Sequence, residues 1–234
     1  MKINKIYCIS AFLILYVSSP VFAQTYTLKG NLTGIESDSL FILKYKRGGV
    51  SGEKIPAARG SFQYSDTISE PYFIQILKIS KVTNQTSGKI ADVLVEAGEI
   101  NINGPASDFS KINITGSKSD LILKEYLSKD MDLQKEWHKL KVVYDKYVNT
   151  GDSLNRKKVA LKLNSINYKE RIPLLKVYVK KYRGEIIGAL IPNFCTLSDI
   201  LSKQDYLEMF EYLTQEMKIS AYGKSILNKS ASAK

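Results

Sequence analysis

The segment Lys111-Ile112-Asn113-Ile114-Thr115-Gly116-Ser117-Lys118-Ser119-Asp120-Leu121 holds the change of pattern that decides the fold. Up to Thr115 it reads as a short half-buried strand. Gly116 breaks the run. Ser117 or Ser119 is then placed to cap a helix. Leu121, Leu127, Met131, Trp137, Leu140, Tyr144 and Val148 follow at roughly helical spacing. The chain is therefore expected to be α+β, with a β-rich domain over 24–116, a helical region over 117–229 and a flexible tail over 230–234.

Toward the N-terminus, short runs rich in β-branched and aromatic residues cover Thr25–Leu32, Ser39–Tyr45, Ser61–Tyr64, Tyr72–Ser80, Ile90–Glu96 and Ile100–Asn103, before Lys111–Thr115. Gly, Pro, Asn and Asp separate them. Strands at this spacing predict an antiparallel β-sandwich or a barrel-like domain. Gly48-Gly49 and Ser51-Gly52 read as a flexible loop. Ala97-Gly98-Glu99 joins two strands as tightly as a hairpin does.

Toward the C-terminus, Asp120–Lys124 and Glu125–Lys129 are favourable i,i+4 pairs. Asn149-Thr150-Gly151-Asp152-Ser153 is a turn signal, and a second amphipathic segment runs from Leu154 to Tyr182. Two long helices so joined predict an antiparallel helical hairpin. Pro173 should kink or split the second helix near Ile172. Shorter helices are expected over Glu185–Ile191, Ser202–Leu213 and Ala221–Asn228, with fraying beyond Asn228.

Residues 1–23 have the order of a secretory signal: Lys2 and Lys5, an apolar run from Ile6 to Val17, and Val21-Phe22-Ala23 before a cut at Gln24. Cys8 precedes the apolar centre, so no lipobox stands at the cleavage point. No later run is long enough to cross a bilayer. The expected location is periplasmic or secreted. Cys195 alone then survives and forms no internal disulfide; it reads either as a reactive thiol or as a small buried hydrophobe.

The formal charge of +11 is concentrated in one region. Residues 24–116 hold 10 basic and 9 acidic groups, 117–183 hold 17 and 8, and 184–234 hold 5 and 6. Lys135, Lys139, Lys146, Lys157, Lys158, Lys176, Lys180 and Lys181 form the candidate interaction surface, open to an acidic protein, an anionic glycan or a membrane surface. The alternative is a solvated face that keeps the helices soluble. Nucleic acid is not expected: lysine dominates, and no arginine-rich motif interleaved with aromatics is present.

Little points to catalysis. His138 is the one histidine, which removes multi-histidine metal sites and leaves a single candidate base. The nucleophile elbow, P-loop, dinucleotide fingerprint and C-x-x-C pair are all missing. Asp92 and Glu96 would share one strand face under strict alternation, as a paired-carboxylate site needs; the alternative is solvent-facing residues opposite Val93 and Val95. Tyr26, Tyr45, Tyr64 and Tyr72 fall in the β-part, either as an aromatic platform for carbohydrate or peptide, or as packing. No cofactor, no metal and no enzymatic activity are expected.

Three segments together carry a resemblance. Tyr26-Thr27-Leu28-Lys29-Gly30 with Gly34, then Val95-Glu96-Ala97-Gly98-Glu99-Ile100-Asn101-Ile102-Asn103-Gly104, then Ile114-Thr115-Gly116-Ser117 resemble a bacterial domain of unknown function. That module sits N-terminal to secreted thioredoxin-like disulfide reductases of the TlpA/ResA type, chiefly in Bacteroidetes. Ser220-Ala221-Tyr222-Gly223-Lys224 is similar to the end of its helical spacer. The resemblance implies the compartment, the β-domain and the spacer. It implies no redox activity, because no C-x-x-C pair is present to carry it. The expected function is a non-catalytic accessory or protein-interaction module, acting on a protein partner or as a homodimer. The alternatives are a glycan- or anionic-lipid-binding module and a docking partner of a separate thioredoxin-like reductase.

Overall fold

The computed structural model describes residues 24–233; the signal reading of residues 1–23 lies outside the described residues. Among these described residues, eight strands form two sheets. One is β4-β1-β7-β8, built from β1 (Gln24–Thr33), β4 (Ser61–Ile68), β7 (Gly98–Pro105) and β8 (Asn113–Thr115). The other is β3-β2-β5-β6, built from β2 (Ser39–Lys46), β3 (Gly49–Pro56), β5 (Tyr72–Ile79) and β6 (Thr86–Val95). Alternate residues of both sheets, among them Leu28, Leu40, Ile42, Ile74, Ile76, Ile100 and Ile102, meet in one buried core. Each such side chain contributes roughly 1.5–3 kcal/mol on burial. The predicted sandwich is therefore present.

Three local expectations are corrected. Ala97 joins no hairpin: β6 pairs with β5 in one sheet, while β7 pairs with β1 and β8 in the other. The short link is a corner between sheets, turned where Gly98 takes a φ of 118° that side chains rarely adopt. The β1–β7 pair is parallel, with Leu28 opposite Ile100, so the sandwich is antiparallel except there. The Gly49–Gly52 stretch is no loop but the start of β3, an exposed edge strand that pairs with β2.

Seven α-helices follow among the described residues. They are α1 (Lys118–Asn149), α2 (Ser153–Ser165), α3 (Ile172–Lys181), α4 (Ile186–Phe194), α5 (Lys203–Tyr212), α6 (Gln215–Ile219) and α7 (Ala221–Ser232). Ser117 is the N-cap of α1, and Asp152 that of α2 after the predicted turn. A π-helical segment, Ile166–Arg171, links α2 to α3 without a break. Pro173 follows it. Its missing N–H and the clash of its ring with the preceding turn are absorbed by the wider π turn. α7 continues past Asn228, with Ser230 buried and Ala233 packed on the helical core, so helix replaces the expected fraying.

The helical core seats itself on the outer face of the second sheet. Leu94, on the face of β6 opposite Val93 and Val95, is buried among Tyr126, Leu175, Leu190 and Met209. β6 is thus covered on both sides. The junction is latched by polar contacts. The Ser117 hydroxyl donates to the Leu94 carbonyl at 2.7 Å, and the Leu94 N–H donates to Asp120 at 2.9 Å. Glu96 accepts from the N–H groups of Lys118 and Ser119 and from the Ser119 hydroxyl. Gly116, φ 93°, lets the chain turn into α1: a Cβ there would lie 2.0 Å from the Glu99 carbonyl oxygen. Farther along the junction, the Tyr222 hydroxyl donates to the Pro71 carbonyl at 2.5 Å. No helix among the described residues is long and apolar enough to cross a membrane.

Candidate functional site

Two surfaces stand out, and α1 joins them. The first is the outer part of the α1–α2 hairpin. Beyond Asp130 no residue of α1 is fully buried, and α2 buries only Leu163. Trp137, Leu140, Tyr144 and Tyr147 of α1 are half-buried, as are Val159 and Ala160 of α2. The α1 stretch Met131–Asn149 alone spans ~28 Å. The other faces carry exposed apolar side chains: Val142 and Val143 on α1, Leu154 and Leu161 on α2.

A buried ionic cluster fixes the root of this arm. Arg171, in the π segment, donates through Nε to Asp130 Oδ1 at 2.7 Å and through Nη2 to Oδ2 at 3.0 Å. Asp130 Oδ2 also accepts from Gln134 Nε2 at 2.7 Å and from the Thr196 hydroxyl at 2.8 Å. Burial pushes the Asp130 carboxyl up, but the bonds from Arg171, Thr196 and Gln134 outweigh it and hold it below the usual carboxylate range. Three chain segments far apart in sequence are tied at this point.

The predicted lysines do not form one patch. Lys135, Lys139 and Lys146 are exposed on one face of α1, and Lys157 and Lys158 are exposed on α2. Lys135 pairs with Asp132 at 3.0 Å. Lys139, Lys146, Lys157 and Lys158 have no carboxylate within ion-pair distance among the described residues. Lys176 is corrected: half-buried, it bonds Asp205 at 2.8 Å and Glu208 at 2.6 Å. Burial works against its charge, and those two carboxylates outweigh it and raise its pKa. Lys180 and Lys181 lie over the rings of Tyr212 and Tyr182, ~35 Å along the second helix from Lys157.

The second surface is a groove of about 580 Å³ between the outer face of the β3-β2-β5-β6 sheet and the first turns of α1. Tyr45, Phe73, Phe109, Leu127, Met131 and Phe194 give it an apolar lining. Four of these keep large fractions of their surface in water: Tyr45 39 %, Phe109 49 %, Met131 52 % and Phe194 39 %. Asp92 stands on its wall, its Oδ2 accepting from Lys89 Nζ at 2.5 Å while its buried Oδ1 has no partner among the described residues. The sequence had no signal for this groove. Its walls come from strands and helices that only the tertiary fold brings together.

The remaining candidates resolve into structural parts. Tyr26 and Tyr72 are buried, hydroxyl to hydroxyl at 2.9 Å, so the four tyrosines form no platform. Tyr64 bonds Glu53 at 2.6 Å beside Lys44 and Asp66. Asp92 and Glu96 do not converge, since Glu96 caps α1, and neither is a free solvent-facing carboxylate. His138 is exposed beside Trp137. Cys195 is half-buried, and burial pushes its thiol pKa up, which disfavours the reactive thiolate. No group of three or more His, Cys, Asp or Glu side chains able to hold a metal occurs among the described residues.

The β-sandwich and the latch to α1 are similar to a known sequence family. Residues 26–121 match the family described as Domain of unknown function (DUF4369). The match runs from β1 to the first turn of α1, so the arm and the helical core lie outside it. No curated protein matches the chain.

Proposed function

We propose that this protein is a non-catalytic accessory module outside the cytoplasm, which binds another protein through its helical arm. One observation carries the reading. The outer hairpin presents unpaired lysines and exposed leucines and valines on faces that nothing among the described residues covers. Exposed apolar side chains grouped on one element mark contact surfaces, and unpaired lysines speed encounter with an acidic partner. The non-catalytic part is supported by the structural use of each carboxylate singled out above. The resemblance to modules that precede TlpA/ResA-type reductases makes a thioredoxin-like reductase the first partner to try.

The test is capture from an extract of the source cells at low and high salt. The wild-type protein is compared with Lys139→Glu/Lys146→Glu/Lys157→Glu/Lys158→Glu. A defined protein held by the wild type at high salt and lost with the charge-reversed arm supports the reading. Equal capture by both proteins counts against it.

A second reading is favoured by α2 and the π-helical segment that continues it. Leu154, Leu161 and Tyr168, seven residues apart, form an exposed stripe beside Lys157, Lys158 and Lys162. That is the pattern of a helix lying on an anionic membrane surface. Binding to phosphatidylglycerol vesicles that vanishes at high salt, with no protein captured, would select it.

A further inference from the structure

Resting on the interaction-module reading, we infer that the groove and the lysine-bearing face of α1 are one continuous docking track. Its occupant is an amphipathic segment of a partner protein, apolar at one end and acidic at the other.

The argument starts from helix geometry. Leu127, Met131, Lys135 and Lys139 follow each other at four-residue steps, and Lys146 lies seven residues beyond Lys139, so all share a face of α1. Leu127 and Met131 line the groove. Lys135, Lys139 and Lys146 lie on the exposed arm. The same face thus passes from apolar to basic over ~28 Å. A groove of about 580 Å³ is within the ordinary range for ligand sites, roughly 300–1,000 Å³. A helix laid along α1 would place apolar residues in the groove and Glu or Asp over the lysines.

Charge chooses among occupants. A second copy would bring its own arm, where 17 basic groups face 8 acidic ones over residues 117–183, and like charges would meet. A lipid acyl chain would fill the groove but leave the lysines unused. A peptide offers apolar side chains for the groove and carboxylates for the track.

The probe is a labelled 20-residue helical peptide with Leu and Phe in its first half and Glu in its second. One control replaces Glu by Lys and the other replaces Leu and Phe by Ser. Binding to the purified protein is read by fluorescence anisotropy. The parent peptide should bind at least tenfold more tightly than either control. Met131→Glu, and separately Lys135→Glu/Lys139→Glu/Lys146→Glu, should each weaken it at least tenfold. All four positions are exposed, so the fold should persist, as circular dichroism checks. Equal binding of the three peptides, or indifference to Met131→Glu, overturns the inference.

Photo-crosslinking in cells, from benzoylphenylalanine at Met131 or at Leu161, separates this failure from that of the parent reading. An acidic partner protein trapped from position 131 supports the track. A partner trapped from 161 alone overturns the track and leaves the arm as a binding element. Trapping of a second copy or of lipid from 131 overturns the named occupant. No trapped protein from either position overturns both readings.

Discussion

At the scale of single residues, Asp130 is the group on which the arm most depends. Its side chain is fully buried and Arg171 is nearly so. Truncating one partner of a buried pair leaves the other charge without compensation and costs about 3–5 kcal/mol. Asp130→Ala should therefore lower stability by about that amount in urea titrations at pH 7. The pH dependence has a definite sign. The folded carboxyl is held below its ordinary range, so its contribution is full above the unfolded value of about 3.9 and is lost as pH falls through the lower folded value. The gap between wild type and Asp130→Ala should narrow on going from pH 7 toward pH 3; an unchanged gap would argue that the pair is not ionised. In the sequence Asp130 is one carboxylate among many on a charged helix. Its partner lies 41 residues away, and no local pattern announces a contact of that separation. Cys195 was more legible, because its apolar neighbourhood points to the small hydrophobe rather than the reactive thiol, and the residue is half-buried.

At the scale of elements, the period change at Gly116 was readable because cap and breaker chemistry is local. Ser117 is indeed the cap. Its hydroxyl does two jobs, accepting from the Asp120 N–H and donating to the Leu94 carbonyl. Losing a cap costs about 0.5–2 kcal/mol, and a buried carbonyl left unpaired adds to that. Ser117→Ala should therefore destabilise by about 1–3 kcal/mol. Amide exchange should quicken in the first turn of α1 and in β6 but not in the β1–β4 pair. Uniform quickening would place the loss in global stability instead. What sequence misread was pairing. Val95–Glu99 has the length of a hairpin, yet both faces of β6 are buried, Val93 and Val95 toward the sandwich and Leu94 toward the helices. The next strand is therefore free to leave for the other sheet. β3 was missed because an edge strand needs no apolar alternation, and its glycines mimic a loop.

At the scale of the whole molecule, the chain has a thick part and a thin part. The sandwich and the helical core each enclose many fully buried side chains. The outer arm is two helices against each other, with basic groups in excess. A helix pair of that kind draws little stability from packing, and isolated helices are marginal in water. Repulsion among its lysines weakens it further at low ionic strength and is screened as salt rises. Trp137, the one tryptophan of the chain, sits on the inner face of the arm, whereas Tyr26 and Tyr72 are buried in the sandwich. Trp137 therefore reports on the arm alone, whereas the tyrosine signal comes mainly from the body, with Tyr144 and Tyr147 as the arm's share. In urea at low salt, Trp137 fluorescence should change at a lower concentration than the near-UV tyrosine signal. Added salt, ~0.5 M, should move the tryptophan transition toward the tyrosine one. A bound acidic segment should do the same at low salt, because it neutralises the same lysines and covers α1. Coincident transitions at every salt concentration would mean that the arm and the body unfold as one unit, and that the arm is held by more than its own two helices.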